Sequence, residues 1–285
     1  MSRILVISSY VAHGAVGLQA ALPGLQRRHA HITALPTILL SNHPGYTRFA
    51  GSAVAIEQLQ AMFEAIDANG WLSGIDGVLT GYMPSAGHAV WARSVIDHMT
   101  ARSPGVLIMI DPVLGDDPGG LYVDAATAAA IHDRLVPAAS VVTPNRFELE
   151  WLSGERVTDP ASAIAAARRL GVPRVAATSI PYAAHPMAAD DPQMISNVLV
   201  TANTAWLSPV AKQPAVPHGT GDLFAGLLLS QLIAHRADRE ALAGATRGVA
   251  QAIAASDGQT DLTVWGLDFE ATDPLATEAM AWPSL

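Results

Sequence analysis

Val106-Leu107-Ile108-Met109-Ile110-Asp111-Pro112 is a run of five apolar residues closed by an Asp-Pro pair and preceded by Gly105. A strand with one wet face alternates apolar and polar residues. A short unbroken apolar run is instead buried on both faces, as in a parallel sheet covered by helices on either side. Working outward, the same grammar recurs. Arg3 to Ser8 reads as an apolar strand, followed by a polar turn from Ser9 to Gly17 and helical spacing from Val16 to Arg28. His31 to Leu40 is strand-like, and Val54 to Ala68 is helical with Ile56, Leu59, Met62, Phe63 and Ile66 on one stripe. A strand at Gly77 to Thr80 and a helix at His88 to Ala101 precede the central run. After it come a helix at Asp124 to Leu135, a strand at Ser140 to Thr143 and helices at Asn145 to Leu152 and Pro160 to Leu170. A strand at Arg174 to Thr178 is followed by an antiparallel pair, Ile195 to Val200 and Thr204 to Leu207, turning at Ala202-Asn203. Helices at Thr220 to Ala234 and Arg239 to Ser256 close the pattern. Repeated strand–helix units predict an α/β fold with three layers, a mostly parallel central sheet and helices on both faces.

The composition narrows the class. The chain has 285 residues, half of them hydrophobic and 14% charged, which excludes a disordered chain and supplies a large core. One domain over 1–285 is expected, with a flap at about 37–52 and a mobile loop at about 180–193. The tail after Asp268 is expected to be peripheral. Lys+Arg is 16 against Asp+Glu 25, a net charge of −9, so neither a nucleic-acid partner nor an anionic membrane is expected. There is no cysteine, which removes disulfides, thiolate metal sites and a cysteine nucleophile and fits a reducing cytoplasm. No apolar run reaches 18 residues, and Met1-Ser2-Arg3 leads directly into a strand, so no signal peptide is expected.

Ligands of such sheets sit at the carboxyl ends of the strands. Chemistry is therefore sought where strands stop. Pro217-His218-Gly219-Thr220-Gly221-Asp222 leads into a long apolar helix. Two glycines expose consecutive N–H groups at the positive end of a helix, a natural seat for anionic oxygens. Asp222 in the first turn can take a proton from a hydroxyl while those amides hold a phosphoryl group. The plain alternative is a helix cap. Asp111-Pro112-Val113-Leu114-Gly115-Asp116 puts a carboxylate at a strand end, where it can hold Mg²⁺ or its waters, or can simply make a turn. In Thr143-Pro144-Asn145-Arg146-Phe147-Glu148, Asn145 and Glu148 are three apart. They can approach phosphate and Mg²⁺ together, or form a capping box. Ser8-Ser9-Tyr10, Ser41-Asn42-His43-Pro44-Gly45-Tyr46 and Thr80-Gly81-Tyr82 complete the set; Tyr82 can stack on a flat heterocycle. The ten histidines show no metal-binding spacing.

The six segments, in this order, resemble the ribokinase-like superfamily of small-molecule kinases, and within it the pyridoxal kinase family, from about Ile4 to about Ser256. The resemblance implies transfer of phosphate from ATP to the 5′-hydroxymethyl group of pyridoxal in vitamin B6 salvage, with pyridoxine and pyridoxamine as related substrates. It makes Asp222 the catalytic base and Gly219, Thr220 and Gly221 the anion hole. Ser9, Val11, His43 and Tyr82 match substrate neighbours. Asp111, Thr143, Asn145, Glu148, Thr178, Ser179, Ser208, Val210 and Gly221 match nucleotide positions, with Asp111 and Glu148 at the metal. Asp116 and Tyr122 fall in the loop that closes over the site. Mg²⁺ and ATP follow, a monovalent cation is a further cofactor the resemblance allows, and a cytoplasmic homodimer is expected.

Two departures keep a rival open. Many relatives have threonine after S-N-H, but here Pro44 offers no N–H. Gly17-Leu18-Gln19-Ala20 resembles hydroxymethylpyrimidine kinases, which share the fold. A kinase of another heterocyclic alcohol, and a non-catalytic binder of pyridoxal phosphate, are the alternatives. Tests on candidate alcohols and of ATP consumption separate them.

Overall fold

The computed structural model describes residues 2–26, 30–182, 194–269 and 279–282. Its elements are β1 (Arg3–Val11), α1 (Leu18–Leu25), β2 (His31–Leu40), β3 (Gly51–Ala53), α2 (Ile56–Ala68), β4 (Gly77–Thr80), α3 (Ala86–Arg102) and β5 (Leu107–Ile110). A small hairpin, β6 (Gly115–Asp116) and β7 (Gly120–Leu121), precedes α4 (Ala125–Ala130). Then come β8 (Val141–Val142), α5 (Arg146–Ser153), α6 (Pro160–Arg169), β9 (Arg174–Tyr182), β10 (Met194–Val200), β11 (Ala205–Ala211), α7 (Thr220–Ile233), α8 (Asp238–Ala255) and β12 (Met280–Ala281).

Among the described residues one sheet carries ten strands in the order β12-β11-β10-β9-β8-β5-β4-β1-β2-β3. The six strands from β9 to β2 run parallel, and antiparallel strands close both edges. The apolar run at β5 behaves as its composition requires. Ile108 and Ile110 enter the core under α2 and α3, while Leu107 and Met109 face the layer of α1, α7 and α8. β1 divides the same way, with Leu5 and Ile7 to one side and Ile4 and Val6 to the other. A third apolar cluster joins α5 and α6 to β9 and β10 through Leu149, Ile164, Val175 and Val198.

Chain order reverses beside β1, with β2 on one flank and β4, β5 and β8 on the other. That switch point leaves a crevice at the carboxyl ends of β1 and β4. α7 is aimed at it. A side chain on Gly77, at the start of β4, would meet Leu229 and Ile233 near the end of α7, whereas one on Gly81, just past β4, would lie 3.8 Å from Asp222 Oδ1. Helix and strand therefore run in opposite senses, and the amide end of α7 opens on the crevice.

Boundaries differ from the sequence reading where tertiary pairing overrides local pattern. β1 runs on to Val11 because Tyr10 and Val11 pair with Leu39 and Leu40 after a register shift at Ser8. Thr37 to Leu40 consequently belong to β2, and the flap is the turn between β2 and β3. The segment from Asp124 to Leu135 is a short α-helix running into a π-turn, Ile131–Leu135. Ile180 to Tyr182 extend β9. The rest of the expected mobile loop (183–193), Arg27 and Arg28, with which the sequence reading ended its first helix, and most of the tail after Asp268 lie outside the described residues. No described helix is long and apolar enough to cross a membrane.

Candidate active site

Two buried carboxyls, Asp111 and Glu148, and the half-buried Asp222 meet below the crevice. Asp111 follows β5, is 6% exposed, and accepts a hydrogen bond from Thr143 Oγ1 at 3.0 Å. Burial pushes its carboxyl well above the usual range, and the charges of Asp222 and Glu148 push it further. Glu148, 4% exposed, lies in the first turn of α5. Its Oε1 accepts the N–H of Leu114 at 2.8 Å and of Gly115 at 3.4 Å, and its Oε2 accepts the N–H of Asn145 at 2.8 Å. Burial outweighs those bonds and lifts the carboxyl to about 7. Asn145 Oδ1 accepts the N–H of Glu148 in return, and Asn145 Nδ2 donates to the Gly115 carbonyl at 2.7 Å. The capping box is thus present, and it ties α5 to the loop after β5. Capping and site-building are one arrangement here.

Asp222 occupies the first turn of α7. Burial raises its carboxyl to about 6, although the N–H of Gly17 and its own N–H donate to it. Gly219 caps the helix at φ 94°, a left-handed conformation that disfavours side chains, and a Cβ there would overlap the carbonyl oxygen of Ala15. The first turn of α7 is thereby pressed against the loop after β1. Nothing lies within 4 Å of where a Cβ on Gly221 would stand, so the space above the amides is open.

The remaining predicted residues fall around this centre. Ser9 and Val11 end β1, and Tyr82 follows β4, where its carbonyl accepts a bond from Thr37 Oγ1 at 2.8 Å. Burial raises the Tyr82 hydroxyl's pKa. Thr178 bridges to Asn145, and its N–H bonds the Pro144 carbonyl at 2.9 Å, which sets Thr178 and Ser179 beside the start of α5. Ser208 and Val210 lie at the same end of the sheet, because β11 is two antiparallel steps from β9 and so shares its direction. Asp116 and Tyr122 sit on the β6–β7 hairpin and are hydrogen-bonded to each other; burial raises the Tyr122 hydroxyl's pKa. Val113 (φ 37°) and Ser179 (φ 60°) hold left-handed backbone without being glycine, local strain of the kind that gathers at functional sites.

Among the described residues no ion pair neutralises Asp111, Glu148 or Asp222, and no three acidic or histidine side chains form a metal cage. Carboxyls that repel one another are the chemistry that suits a hard divalent cation held partly through water.

Sequence reasoning missed a second group. His43 stacks on His218 with ring centroids 4.0 Å apart and planes inclined by 24°. Asp261 accepts from Tyr46 and lies 3.3 Å from His13 Nε2. Ser8 and Thr80 stand in their sequence segments without a role; their buried hydroxyls, late in β1 and at the end of β4, have no hydrogen-bond partner among the described residues. Position at a strand end was the available signal for Ser8 and Thr80; nothing local marks the histidine pair.

Comparison with known proteins bears on the family and the fold. The phosphomethylpyrimidine kinase family matches residues 13–263. A pyridoxine/pyridoxal/pyridoxamine kinase of Bordetella avium (strain 197N) is 34% identical over 282 residues, covering 98% of this chain and 93% of its own. A pyridoxal kinase, PdxY, of Rubrobacter xylanophilus is 35% identical over 243 residues, covering 84% of this chain and 82% of its own. The solved structure of pyridoxal kinase from Leishmania donovani in complex with ADP and pyridoxine superposes with a TM-score of 0.88 at 29% identity, over 99% of each chain.

Proposed function

The chain belongs to the phosphomethylpyrimidine kinase family, alongside pyridoxal kinases, and on that premise we propose that it transfers the γ-phosphoryl group of ATP to the 5′-hydroxymethyl oxygen of pyridoxal. The observation that carries the reading is Asp222 held between the Gly17 amide and the open start of α7, beside Gly81 at the switch point.

In the proposed reaction the alcohol lies between Asp222 and the amides of Gly219, Thr220 and Gly221. Its oxygen attacks the γ-phosphorus, the bond from that phosphorus to the β,γ-bridging oxygen breaks, and ADP leaves. The hydroxyl proton passes to Asp222. A base with its pKa near 6 is mostly ionised at neutral pH yet still accepts a proton as charge builds, which is the useful range for general-base work. Ser9, Val11, His43 and Tyr82 surround the ring in this reading. Thr143, Asn145, Thr178, Ser179, Ser208 and Val210 line the nucleotide side, and Asp116 and Tyr122 close over it. Mg²⁺ held by Asp111 and Glu148 would shield phosphate charge. The protein is proposed to act as one cytoplasmic kinase domain, paired as a homodimer.

Offering pyridoxal, pyridoxine, pyridoxamine and hydroxymethylpyrimidine with Mg-ATP, and reading ADP release, tests this. Pyridoxal or its two relatives should turn over fastest. Preference for hydroxymethylpyrimidine, which the Gly17 to Ala20 stretch and Pro44 favour, would transfer the reading to that alcohol. No ADP release with any of them would leave a binder.

The metal assignment has its own test. Asp111 and Glu148 have raised pKa values in the folded protein, so folding favours their protonated forms. Stability is therefore lost as pH rises through about 7 for Glu148, unless a cation offsets the charge. Mg²⁺ is expected to raise the thermal midpoint more at pH 8 than at pH 5. Glu148→Gln should shrink that pH-dependent gain and raise the Mg²⁺ concentration needed for turnover. An equal Mg²⁺ shift in both proteins at both pH values would remove Glu148 from the site.

A further inference from the structure

We infer that His218 is a positioning residue for the alcohol substrate: its ring clasps His43 and so fixes the flap over the amide end of α7. The inference rests on the kinase reading only for what lies beneath the flap.

The clasp is built from both sides. On the flap, Asn42 Nδ2 donates to the carbonyls of His43 at 3.1 Å and Arg48 at 3.0 Å, which folds the turn on itself. Pro44 has no N–H, so the turn's next donor is Gly45, whose N–H bonds His43 Nδ1 at 3.1 Å. That bond makes Nδ1 an acceptor, places the proton of the neutral ring on Nε2, and orients the ring. A side chain at position 45 would come within 2.9 Å of His43 Nδ1 and press on that ring, while meeting His218 Nε2 at 3.4 Å, so glycine leaves the His43 ring undisturbed beside His218.

On the other side, His218 N–H bonds the Thr260 carbonyl at 3.2 Å. The following residue is Gly219, wedged against Ala15 at the start of the anion hole. One turn therefore sets both the first phosphate-facing amide and the ring that meets the flap. Burial and the neighbouring His218 lower the pKa of His43, with Asp261 opposing them, which disfavours a charged His43 ring in the stack. Asp261 also takes the Tyr46 hydroxyl, giving the flap a second hold beside the stack. A flap so fastened presents His43 to the ring of the substrate in one orientation.

An aromatic pair of this kind is worth about 3- to 10-fold in an equilibrium. His218→Ala is expected to speed hydrogen exchange of amides 42–50 by about that factor, with the amides of β1, β4 and β5 unchanged. In the same variant KM for the alcohol should rise, while KM for Mg-ATP holds. His218→Phe keeps a ring to stack on and should restore both the exchange rate and KM. Exchange at 42–50 equal to the unsubstituted protein in His218→Ala, or a phenylalanine variant no better than the alanine one, would overturn the inference. The exchange measurement needs no substrate. Its result therefore stands whichever alcohol the unsubstituted protein phosphorylates, and the alcohol panel alone decides the kinase reading.

Discussion

Replacing Asp222 by asparagine is expected to lower turnover by about 10²–10⁴-fold, the range for removal of a positioned general base. Asparagine keeps the size of the side chain and one oxygen to accept the Gly17 N–H, so the fold should stand. What it loses is the capacity to take a proton. Nucleotide affinity should be retained or improved, because removing a negative charge next to phosphates removes repulsion. The pH profile sharpens the test. The carboxyl must be ionised to act, and burial has raised it to about 6, so turnover in the unsubstituted protein should fall as pH drops through about 6. The residual turnover of Asp222→Asn should lack that acid limb. Near-normal turnover in the variant would rule Asp222 out as the base, and the kinase mechanism with it.

Gly219→Ala is the second large effect. At φ 94° an alanine pays roughly 1–2 kcal/mol for left-handed backbone. Its methyl group would also overlap the Ala15 carbonyl, which is backbone and cannot rotate away. Either the loop after β1 or the start of α7 must shift, and both carry the site. Displacing a preorganised amide from a developing anion costs about 10²–10³-fold, so turnover should fall at least that far, together with the thermal midpoint. Gly221→Ala separates the two consequences. It sits inside α7 with open space around its Cβ, so stability should hold or rise by about 0.5–1 kcal/mol while the methyl group intrudes where the phosphoryl group is proposed to lie. If Gly219→Ala kept full turnover, the amides at the start of α7 would not be the anion hole.

What could be read without coordinates is whatever adjacent residues decide. The doubly buried strand at Leu107–Ile110 shows as an unbroken apolar run because side chains alternate faces along a strand. The Asn145–Glu148 pair shows as a three-residue spacing because a helix turn brings those two together. Likewise Gly-Thr-Gly-Asp announces a helix opening with free amides. The sequence therefore carried the layer architecture, the strand ends where ligands gather, and Asp222, Asp111 and Glu148 as candidates.

Tertiary structure alone decided how those pieces face one another. Strand order, the reversal beside β1 and the opposed run of α7 and β4 put Asp222 near Gly81, and no local pattern encodes that. His43 and His218 are far apart in the chain; His43 matches a substrate neighbour only by resemblance, and His218 is one residue of the turn before the helix. Their stacking depends on where the β2–β3 turn and the loop before α7 finish after the core has packed. Periodicity and capping are settled by neighbours a few residues away, whereas a contact between two loops is settled by the whole sheet between them.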